Sequence, residues 1–271
     1  MLNPESSLNR RPTDRIAKLP WLAKISDFAQ PIVRKLLESS GTPVRNALHG
    51  TWLGHPLHPL LTDVPVGAWT VTAAFDTLEL FGYRELTGGA DAALGLGFAG
   101  ALAAAVTGYA DWSDTAGEPK TLGTAHAMLN AGATVAYGAS LVVRRVADRK
   151  LGIALGMAGY GLMSAAAYLG GELSMGMQIG AKHTAIPIFP ATEFTPVFDE
   201  AKLESGRMVR ADFGGIPLVL FRSVEGSITA IGAACTHRGA PLDEGTLEGD
   251  CVRCPWHGSL FAFEDGRVLE G

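Results

Sequence analysis

The sequence has few cysteines, few charges and no apolar leader. Only three of its 271 residues are cysteine, and all three follow residue 230, so they cannot form an even disulfide framework. Charged residues make up 18% of the chain and the net charge is −5, which gives no electrostatic basis for binding nucleic acid. The first 50 residues contain no apolar run typical of a cleavable signal peptide.

The apolar residues are concentrated in four stretches, each long enough to span a bilayer, which takes about 20 residues. We predict spans at about 61–83, 90–110, 122–143 and 151–171. The second and fourth are dense in Gly and Ala, which let helices approach closely in lipid. A soluble helical domain is the alternative, and four successive stretches disfavour it. The predicted fold class is α+β multidomain, with a four-helix transmembrane bundle followed by an all-β domain.

Residues 1–45 form a basic segment that differs from the spans. Between residues 13 and 40 the apolar positions follow a nearly helical period, with basic side chains among them. This pattern predicts one or two amphipathic helices lying on an anionic membrane surface. A solvated arm that packs on its own domain is the alternative.

A His-Pro-Leu-His-Pro motif at residues 55–59 precedes the first predicted span. Together with the spans, it resembles a family of four-helix membrane proteins of unknown function, over about residues 45–180. The resemblance implies a membrane location and brings no established chemistry. We therefore assign residues 46–182 to a transmembrane domain and residues 183–193, which contain prolines, to a linker.

Four spans would bring every histidine before the β domain to one membrane face, the face on which the β domain also lies. His55, His58, His126, Asp111 and Asp114 belong to this face, as do His49 and His183. Imidazole suits iron and copper and also quinone oxygens, so these five residues are candidates for a haem, metal or quinone site. Alternatively, they cap helix ends and pair with one another.

The chain after residue 193 changes to short β-rich runs separated by glycine turns. The runs Arg207–Asp212, Ile216–Arg222 and Ser227–Gly232 predict an antiparallel meander. Two motifs follow in loops rich in Gly and Pro, Cys235-x-His237 and Cys254-x-x-His257. Two thiolates and two imidazoles could hold structural zinc or an iron–sulfur cluster. Zinc rarely uses this asymmetric pair of spacings, which favours the cluster.

The two motifs resemble Rieske proteins over residues 194–271. The resemblance implies a [2Fe–2S] cluster with Cys235 and Cys254 on one iron and His237 and His257 on the other. Imidazole ligands raise the potential of such a cluster above that of plant-type ferredoxins.

Cys251 has no role in the predicted cluster. Respiratory Rieske subunits usually tie their two cluster loops with a disulfide, and the first loop here offers no second cysteine. We expect Cys251 to be a small buried strand residue, and the domain to be of the ferredoxin-like kind.

Three positions after the second motif are expected beside the cluster, namely Pro255, Ser259 and Phe261. The resemblance implies that Ser259 donates a hydrogen bond to a cluster sulfur, while Phe261 stands where high-potential relatives carry tyrosine. One donor instead of two implies an intermediate potential. Further strands normally follow a segment like Asp265–Gly271, so the domain is expected to be truncated at its C-terminus. Either the sequence is a fragment or the domain is incomplete, and we favour a fragment.

A cluster of this kind carries one electron and supplies no substrate pocket. We expect no soluble region of this sequence to house the mononuclear-iron domain of an oxygenase. We predict an electron carrier of a bacterial-type inner membrane, rather than a stand-alone enzyme, acting between a membrane donor and a redox partner protein. The alternative is a transport or redox-sensing protein that the cluster regulates.

The orientation signals in the sequence conflict. The basic arm and cytosolic cluster assembly favour a cytoplasmic β domain. Against this, four basic residues crowd the loop between the third and fourth spans, namely Arg144, Arg145, Arg149 and Lys150.

Overall fold

The computed structural model describes residues 12–180 and 193–271, which form a helical part followed by a β part. The helical part has seven α-helices within the described residues: α1 Pro12–Ala17, α2 Pro20–Ser39, α3 Thr42–His49, α4 Leu57–Leu80, α5 Thr87–Ser113, α6 Gly117–Val146 and α7 Arg149–Gly171. A π-helical turn, Glu172–Gly176, continues α7. His183 and all but the last residue of the predicted linker lie outside the described residues.

Helices α4 to α7 cover the four predicted spans and form a bundle of two antiparallel hairpins. In the first hairpin α4 packs along α5, and in the second α6 packs along α7. Contacts of α5 with α6 and of α4 with α7 close the bundle, so α4 and α6 lie diagonally opposite. The two diagonal helices meet through Trp69 and Tyr137, whose stacked rings have centroids 3.9 Å apart.

Two helical segments are long and apolar enough to cross a membrane among the described residues, Arg84–Ser113 and Arg149–Gly176. They contain α5 and α7, the two Gly- and Ala-rich spans. Helix α4 carries Asp76 and Glu79, and α6 carries Arg144 and Arg145. These charges lower the mean hydropathy of α4 and α6, so the count of four spans stays a prediction.

The basic N-terminal segment packs on the end of the bundle where α5 meets α6. Gln30 donates from Nε2 to the carbonyls of Trp112 and Thr115, at 3.0 and 2.9 Å, and Arg34 donates to the carbonyl of Ser113 at 2.7 Å. On another face, α2 exposes an apolar stripe at helical spacing, consisting of Trp21, Ile25, Phe28, Ile32 and Leu36. The segment therefore packs on its own domain and also presents an apolar surface.

The β domain contains two antiparallel sheets. The first is β1 Arg207–Phe213, β2 Ile216–Arg222 and β3 Ile228–Gly232, and the second is β4 Thr246–Glu248, β5 Cys251–Arg253, β6 Leu260–Ala262 and β7 Val268–Glu270. The first sheet matches the predicted meander to within one residue at each strand end. Val219, Phe221, Val252, Phe261 and Phe263 form a buried core together with Cys235 and Cys254. This core fixes the two loops that carry the cysteine and histidine motifs.

Candidate metal centre

The two motif loops have the same backbone geometry. The N–H of Gly239 donates to the carbonyl of Cys235 at 2.8 Å, and the N–H of Gly258 donates to that of Cys254 at 3.2 Å. Both glycines have a left-handed backbone, with φ of 74° and 76°, which a side chain would strain. Each cysteine therefore sits at the start of a tight turn that brings the following histidine to the same side.

The four side chains of the motifs converge at the tip of the β domain. The imidazole rings of His237 and His257 have centroids 4.8 Å apart, and the thiols of Cys235 and Cys254 are close enough to shift each other's pKa. Among the described residues, no three His, Cys, Asp or Glu side chains converge on one point, as a single zinc ion requires. A two-iron cluster takes only two protein ligands per iron, so a cysteine pair beside a histidine pair fits it better.

The protonation states of Cys254, His237 and His257 suit metal binding. The hydrogen bond from Cys235 lowers the pKa of Cys254 to about 6, and the backbone N–H groups of Trp256 and His257 add to the effect. The same shared bond, together with burial, raises the pKa of Cys235. Burial lowers the pKa of His237 to about 4 and also lowers that of His257. Both imidazoles are therefore neutral at pH 7, with lone pairs available to iron.

The histidine edge of the β domain faces a polar surface of the helical domain. The charge of Asp114 acts on both His237 and His257, which places the carboxylate near the two rings. Asp114 raises the pKa of both rings, whereas the charge of His49 lowers the pKa of His237 and that of Arg34 lowers the pKa of His257. His49 is paired with Asp111, with Nδ1 and Oδ1 3.3 Å apart. We call this surface the polar end; it consists of Arg34, His49, Asp111 and Asp114.

Hydrogen bonds from the helical domain hold strand β7 in this position. Asn46 donates from Nδ2 to the carbonyl of Leu269 and accepts from the N–H of Gly271, both at 3.0 Å. Thr51 donates to the carbonyl of Gly271 at 2.6 Å. Sequence reasoning missed Asn46 and Thr51, because they contact the backbone of β7 and belong to no motif.

The five residues predicted as a membrane-domain site occupy three separate places. Asp111 and Asp114 belong to the polar end. His58 and His126 lie between helices, each against a backbone carbonyl. His55 is exposed, with its Nδ1 3.1 Å from the carbonyl of its neighbour. His55 lies apart from these two groups, so its part in a membrane-domain site stays a prediction.

Four residues singled out around the second motif differ in their burial. Ser259 and Phe261 are buried, and Phe261 shares the core of Cys235 and Cys254. Pro255 is exposed. Cys251 begins β5, as expected for a strand residue, but it is half-buried and not fully buried.

Comparison with known protein families divides the chain in the same way. Residues 193–271 match the family described as Rieske [2Fe-2S] domain, and residues 54–183 match the family described as predicted membrane protein (DUF2231). The C-terminal part of the chain is thus a Rieske domain, which binds a [2Fe–2S] cluster. Both predicted resemblances are confirmed.

Curated relatives are similar to the Rieske part. The toluene-4-sulfonate monooxygenase system iron-sulfur subunit TsaM1 of Comamonas testosteroni is 49% identical over 45 residues, 17% of this chain and 13% of that protein. Cholesterol 7-desaturase nvd of Xenopus laevis is 35% identical over 82 residues, 30% of this chain and 18% of that protein. The chain thus spans less than a fifth of these relatives' lengths.

A solved structure is similar over the same part. It is titled as a complex of reduced oxygenase and oxidized ferredoxin in carbazole 1,9a-dioxygenase, and the sequence identity is 32%. The match covers 27% of this chain and 74% of that chain, with a TM-score of 0.24.

Proposed function

We propose, from the Rieske [2Fe–2S] domain of residues 193–271 and the predicted membrane-protein domain of residues 54–183, that this chain is a membrane-anchored one-electron carrier. Cys235 and Cys254 bind one iron of the cluster, and His237 and His257 bind the other. The chain takes electrons from a donor in the membrane and passes them to a redox partner protein.

The observation that carries this proposal is the direction of the histidine edge. Hydrogen bonds from Asn46 and Thr51 hold the β domain against the helical domain, and the Asp114 carboxylate lies within electrostatic range of the rings of His237 and His257. An electron that arrives through the helical domain therefore reaches the histidine-bound iron first. A cluster meant only for soluble partners has no need of an edge directed at the membrane domain.

Anchoring is supported by the two apolar helical segments and by the exposed stripe of α2, which suits a lipid surface. The orientation we propose has the Rieske domain in the cytoplasm. Four basic residues near the loop between α6 and α7 argue against this orientation, but two of them are paired with acids of the bundle. Arg144 bonds to Asp76, and Arg149 bonds to Glu79 and Asp91. Only Arg145 and Lys150 remain as unpaired loop charges among the described residues, which weakens the opposing signal.

Membrane vesicles of known sidedness test both the electron path and the orientation. In inverted vesicles, whose cytoplasmic face is outside, NADH should reduce the cluster through the quinone pool, and the reduced cluster is detected by its EPR signal. Ferricyanide, which does not cross membranes, should then oxidise the cluster in inverted vesicles only. A cluster that dithionite reduces but NADH does not would contradict the proposed function. Oxidation only in right-side-out vesicles would contradict the orientation.

The hydrogen bonds of Asn46 and Thr51 to the C-terminal strand of the β domain can be removed by mutation and tested in the same vesicles. Asn46→Ala with Thr51→Val removes three hydrogen bonds, each worth about 0.5–1.5 kcal/mol. We expect slower cluster reduction by NADH, by several-fold, and an unchanged midpoint potential. Thr42→Val changes an exposed residue at the start of the same helix and should leave the rate unchanged. If the wild type, the double variant and Thr42→Val all show the same rate of cluster reduction, the contacts of Asn46 and Thr51 with the β domain do not contribute to electron transfer into the cluster.

The midpoint potential should respond to the hydroxyls beside the cluster. The Ser259 hydroxyl forms no hydrogen bond to another described residue, so it is free to donate to a cluster sulfur. We expect Ser259→Ala to lower the potential and Phe261→Tyr to raise it. A hydrogen bond to a charged acceptor is worth about 1.5–3 kcal/mol, or on the order of 60–130 mV at 59 mV per decade if it forms only on reduction. Such a bond exists in both redox states, so redox titration should find the lower part of this range or less. An unchanged potential in Ser259→Ala would mean that this hydroxyl does not contact the cluster.

A further inference from the structure

The two hairpins of the helical domain repeat the same contacts at a fixed spacing. A residue of α4 matches the residue 68 positions later in α6, and a residue of α5 matches the residue 62 positions later in α7. The Nδ1 of His58 lies 2.8 Å from the carbonyl of Ala104, and the Nδ1 of His126 lies 2.8 Å from that of Ala166. A hydroxyl-to-carbonyl bond repeats in the same way, from Thr72 to Ala90 and from Ser140 to Gly152.

Glycines at matched positions make room for these side chains. A Cβ atom on Gly108 would approach the His58 ring to 2.7 Å, and one on Gly170 would approach the His126 ring to 3.0 Å. Further along the helices, Gly97 lies against Trp69 and Gly159 against Tyr137, with the same spacings. The helical domain is therefore a pair of repeated hairpins related by a pseudo-twofold axis along the bundle.

Matched residues meet each other across this axis. Trp69 stacks on Tyr137, and Asp76 pairs with Arg144. His58 precedes Trp69 by 11 residues, as His126 precedes Tyr137, and this spacing keeps each histidine on the same helix face as its aromatic residue. The two histidines therefore face each other across the axis, and they are close enough to interact electrostatically.

The hydrogen bonds fix the tautomer of both imidazoles. A carbonyl oxygen can only accept, so Nδ1 carries the proton in His58 and in His126. Each Nε2 then carries a lone pair and no proton. Asn130 confirms this for His126, because its amide donates to Nε2 at 3.0 Å. A backbone carbonyl on one ring nitrogen and a lone pair on the other is the usual arrangement of a metal-binding histidine.

The number of protein ligands selects the kind of metal. Zinc and copper sites take three or four protein ligands, and the part of the chain that the structure describes offers no such group around these histidines. Haem iron takes four nitrogens from its own macrocycle and needs only axial ligands from the protein. Bundle cores are common places for such cofactors, held by side chains on facing helices. An oxidised quinone would need donors, and both Nε2 atoms are acceptors.

We propose that His58 and His126 are the two axial ligands of a haem iron on the axis between the hairpins, and that this haem is the membrane donor to the cluster. Binding displaces the Asn130 amide from the Nε2 of His126. The role of the haem as donor to the cluster rests on the proposed function. In the transfer step the ferrous haem loses one electron and becomes ferric, and one ferric iron of the cluster becomes ferrous.

The position of the histidines suits this step. His58 bonds to Ala104 of α5, and ten residues further along the same helix lies Asp114 at the polar end. Ten helical residues span about 15 Å. The haem site is therefore separated from the histidine edge of the cluster by a short length of one helix.

The experiment uses the full chain, produced in cells supplied with δ-aminolevulinate and purified in detergent. Dithionite-reduced minus oxidised spectra should contain a Soret band and a sharp α-band of six-coordinate haem, with one haem per cluster. His58→Ala and His126→Ala should each lose these bands. His55→Ala is the matched control, because this exposed histidine lies three residues from His58, and it should keep them.

Two further measurements separate loss of a ligand from loss of folding. The EPR signal of the cluster in the same chain should persist in both variants, and added imidazole should restore the haem bands in His58→Gly. Wild-type protein with a full cluster and no Soret band would overturn the proposal, as would bands that persist in either histidine variant. If NADH still reduces the cluster in vesicles of such haem-free protein, the haem proposal fails while the electron-carrier function stands.

Discussion

His257→Ala and Cys235→Ala are each expected to abolish the [2Fe–2S] cluster. In the proposed assignment, each change removes one of the two protein ligands of an iron and opens that iron to solvent. The loops then offer no substitute, because the assignment already gives the thiol of Cys254 and the ring of His237 to an iron. We expect the reduced-state EPR signal to disappear and the iron content of the purified protein to fall to background.

Cys251→Ser is the matched control for these variants. Cys251 lies three residues before Cys254, but it sits in β5 and pairs across the sheet with Glu248 and Ala262. Its thiol is therefore directed by the strand and not by the cluster loop, and the variant should keep the EPR signal. An unchanged signal in His257→Ala, or its loss in Cys251→Ser, would show that the ligand assignment is wrong.

The cluster site could be predicted from the sequence because its signal is local. Each motif lies in one short loop, and the glycines that close the turns, Gly239 and Gly258, stand at fixed positions after their cysteines. The first sheet was also predictable, since its strands are bounded by glycine turns. The four long helices followed from apolar length alone.

What the sequence could not supply is the set of contacts between distant segments. Asn46 and Thr51 bind backbone atoms more than 200 residues away, and a single polar side chain has no periodicity to reveal its partner. The repeat of the hairpins is hidden for a related reason. Several of its matched residues differ in type, as Trp69 and Tyr137 or Asp76 and Arg144 do, and their contacts identify these as equivalent.

The partner of Arg144 could not be predicted from the sequence either, because the sequence places Arg144 among several basic residues of a predicted loop. In the structure its side chain and that of Asp76 are each only 1% exposed. Arg144 donates from Nη1 to Asp76 at 2.7 Å and from Nε to Ser140 at 2.9 Å. This pair joins the diagonal helices α4 and α6 at the end of the bundle remote from the cluster.

Replacing Arg144 alone should strongly destabilise the helical domain. Arg144→Met leaves the Asp76 carboxylate buried without its partner, and breaking a buried pair in this way costs about 3–5 kcal/mol. For a domain of this size that lowers Tm by roughly 6–20 °C. The measurement is thermal unfolding of the full chain in detergent, followed by circular dichroism at 222 nm. Arg145→Gln is the matched control, since Arg145 is the exposed neighbour in the same helix, and its Tm should stay near that of the wild type.

The double variant Asp76→Leu with Arg144→Met determines whether the effect comes from the unpaired charge. Replacing both members of a buried ion pair by apolar residues of similar volume is often neutral, because the cost of removing two charges from water disappears with them. We therefore expect the double variant to recover most of the stability lost in Arg144→Met. If the double variant is as unstable as the sum of the two single variants, the pair is not coupled, and the role of Arg144 is packing against Gly152 and its neighbours in α7.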